Sequence, residues 1–251
     1  MAIHRFYIPP ARWDPDHLAL DEAESHHCTD VLRLREGNRV VVFNGTGTEV
    51  TAEITLLTKR EVGLRPLFTH TTPRPGAAVT LAQAIPKGKN MDLVIQKAAE
   101  LGASEIVPLI SERTVVRLDA AEAADKQEKW QRVAIEACKQ CGQNHLPQVH
   151  SPVTLDRFFF RRPARDLMII AAIEPGARRL KELLAEWAVL HPGKLKPASV
   201  LVLIGPEGDF TPSETGLAKS QGCQPMSLGP IILRTETAAI YSLSTLAHEL
   251  F

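Results

Sequence analysis

The sequence predicts an α/β fold with a mainly parallel sheet, preceded by a small β-rich module. Three observations predict it. "EIVPLI", "DLMIIAAIE" and "SVLVLIG" are near-continuous apolar runs, as strands buried on both faces require. Helical segments lie between these runs, which gives the alternation of an α/β sheet. Residues 39–68 instead carry short β-branched runs separated by turn signals, the pattern of antiparallel strands.

Taken in order, "RVVVFNGTGTEVTAEITLLTKREVGLRPLF" reads as a small antiparallel barrel or sheet with a hairpin at Asn44-Gly45. "NGTGTE" lacks the third glycine of a dinucleotide loop and has strands on both sides, so it is a turn. "HTTPRPGAA" holds two prolines and a glycine and divides the chain into 1–72 and 73–251. "VTLAQAI" is a strand. "MDLVIQKAAELG" is a helix with Met91, Val94, Ile95 and Ala98 on one face and Gly102 as its stop. Further helices are expected over Ala120 to Cys141, Arg178 to Leu190 and Pro212 to Gln221. The last runs from about Thr235 to Leu250, with Ile240, Leu243, Ala247 and Leu250 on one stripe.

At 251 residues, 44% hydrophobic and 23% charged, the chain has the composition of a soluble globular protein. No apolar stretch is long enough to span a membrane, and "MAIHRFYIPP" lacks the apolar core of a signal peptide. The expected location is the cytoplasm, with no membrane partner. Four scattered cysteines make no disulfide framework. Charge balances at 29 basic and 29 acidic residues, so an anionic partner must meet a local cluster. "VLRLREGNR" (Arg33, Arg35, Arg39) and "FFFRRPARD" (Arg161, Arg162, Arg165) are the candidates. Arg33 and Arg35 alternate with Leu32 and Leu34, so a strand there would project both guanidiniums to one side.

"LVLIGPEGDFTPSE" carries the strongest local signal. A buried strand stops at Gly205-Pro206-Glu207-Gly208, and Thr211, Pro212 and Glu214 then open a helix with a capping box. The loop hangs at the carboxyl end of a strand, where open α/β sheets bind ligands. Its glycines let a ligand approach bare backbone. "LGPIILRTETAAIYSL" repeats the device: a strand is expected to end at Gly229-Pro230, and Arg234 and Glu236 flank the start of the last helix. Two such turns could wall one pocket. "PKGKN" lacks the spacing of a P-loop, though Lys87 and Lys89 stand at a strand end. Cys138-x-x-Cys141, with His145 and His150 downstream, has no second cysteine pair to complete a zinc tetrahedron, so no metal is expected.

"LIGPEGDF", "LGPIILRTETA", "IQKAAELG", "EACKQCGQN", "HRFYI" and "HHCTDVLRLREG" occur in order across nearly the whole chain. Together they resemble the RsmE-type ribosomal RNA uracil-N3 methyltransferases of the SPOUT superfamily. The chain departs from that pattern where Asp209 replaces a glycine and Ile231 an arginine, and an arginine is missing near Gln143. The resemblance implies a PUA-like β-barrel for RNA over 1–72. Over 73–251 it implies a SPOUT-type α/β domain whose C-terminal segments thread into a trefoil knot. It implies S-adenosyl-L-methionine held by three loops: Ala172 and Glu174; Leu203, Ile204, Gly205, Pro206, Glu207 and Gly208; Leu228, Gly229, Leu233 and Thr237. Glu207 would support or orient the cofactor. It implies a homodimer with the active site at its interface, and 16S ribosomal RNA as substrate, in the small ribosomal subunit. Arg5, Arg33, Arg35, Lys87 and Lys97 are the candidate RNA contacts.

The chemistry suits these residues. N3 of uracil becomes a nucleophile once its imide proton leaves, so the enzyme must position two reactants and stabilise a developing anion. Arg234 is the candidate for that stabilisation, with Glu236 holding it or assisting the proton. A SPOUT methyltransferase acting on transfer RNA, or a non-catalytic RNA-binding ribosome-assembly protein, are the alternatives. Titration with adenosylmethionine separates binding module from enzyme. A nicotinamide dehydrogenase fails for want of the glycine fingerprint and its acidic partner.

Overall fold

A computed structural model describes residues 3–58, 60–116, 118–161 and 165–251. Two compact units emerge: Met1–Arg74 with Ile135–Leu146, and Pro75–Ala134 with Pro147–Phe251.

The first unit holds β1 (Arg5–Tyr7), β2 (Leu18–Leu20), α1 (Glu22–His26), β3 (Arg39–Phe43), β4 (Thr48–Leu57) and β5 (Val62–Thr71). They form a five-stranded sheet in the order β1-β3-β4-β5-β2, antiparallel except where β1 runs parallel to β3. Alternate residues enter one core around Phe6, Leu20, Val42 and Ile54. The expected hairpin turn is present. The Asn44 carboxamide oxygen accepts the Thr46 and Thr48 amides at 2.8 and 3.2 Å, and Gly45 and Gly47 take φ of +75° and +108°. Residues 135–146 are fastened to this sheet by two polar clamps. Lys139 pairs with Glu24 at 3.0 Å, both nearly buried, and Arg5 binds Glu49 and the Asn144 carboxamide.

The expected strand at Leu32–Arg35 does not form. A π-helical turn over His27–Val31 leads into a bend, and Arg33 adopts a left-handed φ of +52°. Leu32 and Leu34 still pack on the core, while Arg33 and Arg35 are exposed. The two-residue rhythm is thus satisfied by irregular backbone.

The second unit runs β6 (Ala78–Ala84), α2 (Asn90–Glu100), β7 (Glu105–Ile110), α3 (Ala120–Cys141, whose last turns belong to the first unit), β8 (Gln148–Val149), β9 (Val153–Thr154), α4 (Leu155–Arg161), β10 (Leu167–Ala171), α5 (Leu180–Leu190), β11 (Ser199–Ile204), α6 (Pro212–Ser220), β12 (Gln224–Met226) and α7 (Thr235–Leu250). Its seven-stranded sheet has the order β12-β10-β11-β6-β7-β8, with β9 also on β7, and every pairing is parallel. The apolar runs read as doubly buried strands sit at its centre, with Leu81, Leu109, Ile169 and Leu203 fully buried.

Three expectations shift. β12 ends at Met226 rather than Gly229, because its partner β10 ends at Ala171 and leaves nothing to pair with. α5 starts at Leu180, since Arg178 is still bridged to Met226. α7 buries Ala238, Ala239, Ser242, Leu243, Leu246 and Leu250, leaving Ile240 and Ala247 half-exposed. Small residues at 238, 239 and 242 let this face approach α2 and β6 closely. Of the basic cluster at 161–165, Arg165 is tied to Glu105 at 3.0 Å, while Arg162 and the Arg161 side chain lie outside what is described. Among the described residues no helix is long and apolar enough to cross a membrane.

Candidate cofactor and active site

The carboxyl ends of β10 and β11, the segment after β12 and the start of α7 enclose a cavity of about 440 Å³. That is the expected place for a ligand in a parallel sheet. Its walls come from Ala172 and Ile173 after β10, Ile204 to Glu207 and Asp209 from the end of β11 onward, Leu228, Gly229 and Ile231 to Leu233, and Arg234 to Glu236.

The Gly205–Phe210 loop is held from within and from both sides. Asp209 N–H donates to the Pro206 carbonyl at 2.9 Å, closing a turn. Asp209 sits at φ +62°, where glycine is at ease and aspartate is among the tolerated residues. Its carboxylate accepts the Phe210 amide at 2.7 Å, and Phe210 is buried in the core. Glu207 accepts the backbone N–H of Lys87 at 2.8 Å, and Arg113 donates to the Gly208 carbonyl. The Thr211/Glu214 capping box forms, and Glu214 also accepts the Glu112 amide at 2.9 Å. The loop is therefore preorganised rather than loose.

Arg234 is the N-cap residue of α7, exposed, with Glu236 half-buried in the first turn. Among the described residues neither side chain has a hydrogen-bond or ion-pair partner. A guanidinium free of its own carboxylate, beside the open amides of a helix N-terminus, is suited to an anion.

Of the residues expected to hold a cofactor, Ala172, Ile204, Gly205, Pro206, Glu207, Leu228, Gly229 and Leu233 line this cavity, together with Arg234 and Glu236. Four do not line it. Glu174 is paired with Lys219, Leu203 is sealed in the sheet, Gly208 serves Arg113, and Thr237 faces outward. Glu207 acts first as a brace for the Lys87 backbone. Of the expected RNA contacts, Arg33, Arg35 and Lys87 are exposed. Arg5, with a 14% exposed side chain, is committed to Glu49, and Lys97 is paired with Glu100. Cys138 is buried, which pushes its thiol up to about 12, while Cys141 is exposed. His145 is engaged by the Thr72 carbonyl at 2.9 Å.

Asn90, Ile173 and Thr235 also line the cavity, and Ile231 and Ile232 stand exposed at its wall. Asn90 arrives from the start of α2, far off in sequence. Its one signal was its place after the glycine-lysine pair.

An RNA methyltransferase domain model matches residues 72–247, and an RNA methyltransferase PUA domain model matches 20–67. A Bacillus subtilis protein named ribosomal RNA small subunit methyltransferase E is 32% identical over 227 residues, covering 90% of this chain and 88% of that protein. The chain belongs to the ribosomal RNA small subunit methyltransferase E family. An Aquifex aeolicus protein of the same name is 29% identical and covers 98% of this chain and 100% of its own length. Among solved structures, the Neisseria gonorrhoeae methyltransferase E bound to S-adenosyl methionine is 30% identical, with a TM-score of 0.84 and 98% of each chain covered. A Legionella pneumophila methyltransferase in complex with SAM is 36% identical, with a TM-score of 0.86 and coverage of 99% and 98%. Membership accounts for the two-unit architecture: a β-rich PUA module and an α/β RNA methyltransferase domain.

Proposed function

We propose that this protein methylates N3 of one uridine in 16S ribosomal RNA, using S-adenosyl-L-methionine. The observation that carries the reading is an unpaired Arg234 at the wall of a cavity built by three strand-end loops. The cavity fits the cofactor. Its volume lies in the range of about 300–1,000 Å³ usual for small-molecule sites. Gly229, at φ +122°, has nothing within 4 Å of where a Cβ would stand, so its backbone is open to a ligand. Ile204, Leu228 and Leu233 supply apolar wall there.

When bound, S-adenosylmethionine supplies an electrophilic sulfonium methyl. The chain's own residues do the rest. The Gly205–Phe210 loop fixes the floor of the site through its bonds to Lys87 and Arg113. Arg234 remains a cation throughout and favours the uracil anion over the neutral base. Glu236, in the first turn of α7, takes the imide proton at N3.

RNA affinity belongs to exposed Arg33 and Arg35 in the PUA module and to Lys87 near the loop. A second copy of the chain covers Ile231, Ile232 and Tyr241, which are 69%, 83% and 47% exposed. The placing of β10 between β11 and β12 supports a knotted C-terminus. The enzyme works in the cytoplasm, in the company of the small ribosomal subunit. Mass mapping of ribosomal RNA from a strain lacking the gene tests the reading. One missing methyluridine is expected, and an intact set of marks overturns it.

A further inference from the structure

Gln83 interrupts the apolar strand β6 and is fully buried. Its Nε2 donates to the Ala84 carbonyl at 2.8 Å and to Thr235 Oγ1 at 2.9 Å. Thr235 Oγ1 lies 2.6 Å from the Gly205 carbonyl. A carbonyl can only accept, so the threonine proton points to Gly205 and the hydroxyl lone pair receives Gln83. The amide cannot be turned over, because its oxygen would then face the Ala84 carbonyl and a hydroxyl whose proton is already committed. The direction is fixed: Gln83 donates to Thr235, and Thr235 donates to Gly205.

Gly205 governs the loop. A Cβ there would lie 2.9 Å from Asp209 Oδ1 and 3.2 Å from Phe210 N, so the turn is folded tightly over it. The plane of its carbonyl sets the path of Pro206 and Glu207 along the cavity. Thr235 is the first residue of α7, between Arg234 and Glu236. We propose that Gln83 and Thr235 are positioning residues, a buried hydrogen-bond relay that fixes the cofactor loop against the reacting groups on α7. The proposal rests on the methyltransferase reading above. Gln83 Oε1 is buried without a hydrogen-bond partner among the described residues, so the two bonds from Nε2 alone hold the amide in this arrangement.

The test combines calorimetric titration of adenosylmethionine with amide hydrogen exchange of Glu207–Phe210 in ligand-free protein. Thr235→Val keeps the shape and loses the hydroxyl; Gln83→Met keeps the length and loses the donor. Each is expected to weaken adenosylmethionine binding about tenfold, the effect of one buried hydrogen bond. Each should also speed exchange in the loop, while the midpoint of global unfolding moves little. The double variant should be no worse than the worse single variant, since both break one relay. Thr235→Ser should stay within about twofold of the parent, as its hydroxyl persists. Parental affinity and exchange in Gln83→Met, or additive losses in the double variant, overturn the relay. Should Gln83→Met not fold, equal behaviour of Thr235→Val and Thr235→Ser overturns it. A parent protein that binds no adenosylmethionine sinks the cofactor reading instead, and the exchange data still decide the relay.

Discussion

Arg234 reaches the cavity wall without a carboxylate partner among the described residues, as the proposed anion-stabilising role requires. A structural salt bridge to Glu236 would have made it a stability residue, and the two are unpaired. Arg234→Ala is expected to leave the fold and adenosylmethionine binding within a few-fold. Single-turnover methylation should slow about a hundredfold, the usual cost of losing a donor aimed at developing charge. Normal turnover, or a loss matched by unfolding, removes Arg234 from the mechanism. Glu105 is a different case. The His150 ring, and with it the Arg165 guanidinium, hold its carboxyl below the usual carboxylate range against the opposing effect of burial. A depressed carboxylate contributes stability above its unfolded-state pKa and loses it as pH falls through the folded-state value. Glu105→Gln should therefore be less stable than the parent at neutral pH, and the gap should close in acid. With Glu105 about a third exposed, solvent screening limits the gap to about 1 kcal/mol or less. A gap that persists unchanged in acid denatures the argument. At this scale the sequence made Arg234 and the Gly205–Gly208 stretch visible, because glycine, proline and charge interrupt apolar runs there. Gln83 and Asn90 were silent, since nothing local says that β6 sets Gln83 against Thr235, or that α2 brings Asn90 to a cavity walled by residues well over a hundred positions later.

Helices and central strands were legible where burial imposes a long period. The bounds of α3 and α7 follow from their patterns, and the doubly buried strands from their unbroken apolar runs. Short edge elements were not, because β8, β9 and α4 are too brief to show a period. The Leu32–Arg35 segment shows how a correct pattern can sit on the wrong backbone. Exposure alternates as in a strand, yet Arg33 is left-handed and the ladder is absent. Its two exposed guanidiniums make a prediction of their own. Arg33→Ala with Arg35→Ala should weaken RNA binding, most at low salt, and lower the salt dependence by about one to two ion equivalents. Adenosylmethionine affinity should not change. Filter binding across a salt series checks this, and unaltered RNA affinity would make the pair a solvated surface.

For the molecule as a whole, strand order and oligomeric state lay beyond pattern reading. The order β12-β10-β11-β6-β7-β8 depends on pairings between distant segments, and general topology rules disfavour the threading that the family likeness implied. The last helix carries apolar residues at Ala238, Ala239, Ile240, Tyr241, Leu243 and Leu246, more than one core face uses. Within the chain it already buries Ala238, Ala239, Leu243 and Leu246, so the surface left for a partner is Tyr241 with Ile231 and Ile232 nearby in sequence. Light scattering at micromolar concentration should give the mass of a homodimer, and Ile232→Asp, which sets a charge on that surface, should shift it toward monomer. A parent protein that scatters as a monomer contradicts the dimer.

The central claim is methyl transfer to N3 of a single uridine, and it is tested most directly by reconstitution. Purified protein and adenosylmethionine are incubated with 16S ribosomal RNA, free or in small subunits, from cells lacking the gene. The products are read by nuclease mass mapping and by primer extension. A methyl at N3 blocks the pairing edge of the base, so one new extension stop should coincide with one newly methylated uridine. Both should depend on adenosylmethionine and appear about a hundredfold more slowly with Arg234→Ala. No methyl incorporated into either substrate, or a methyl placed where it leaves primer extension undisturbed, would contradict the account.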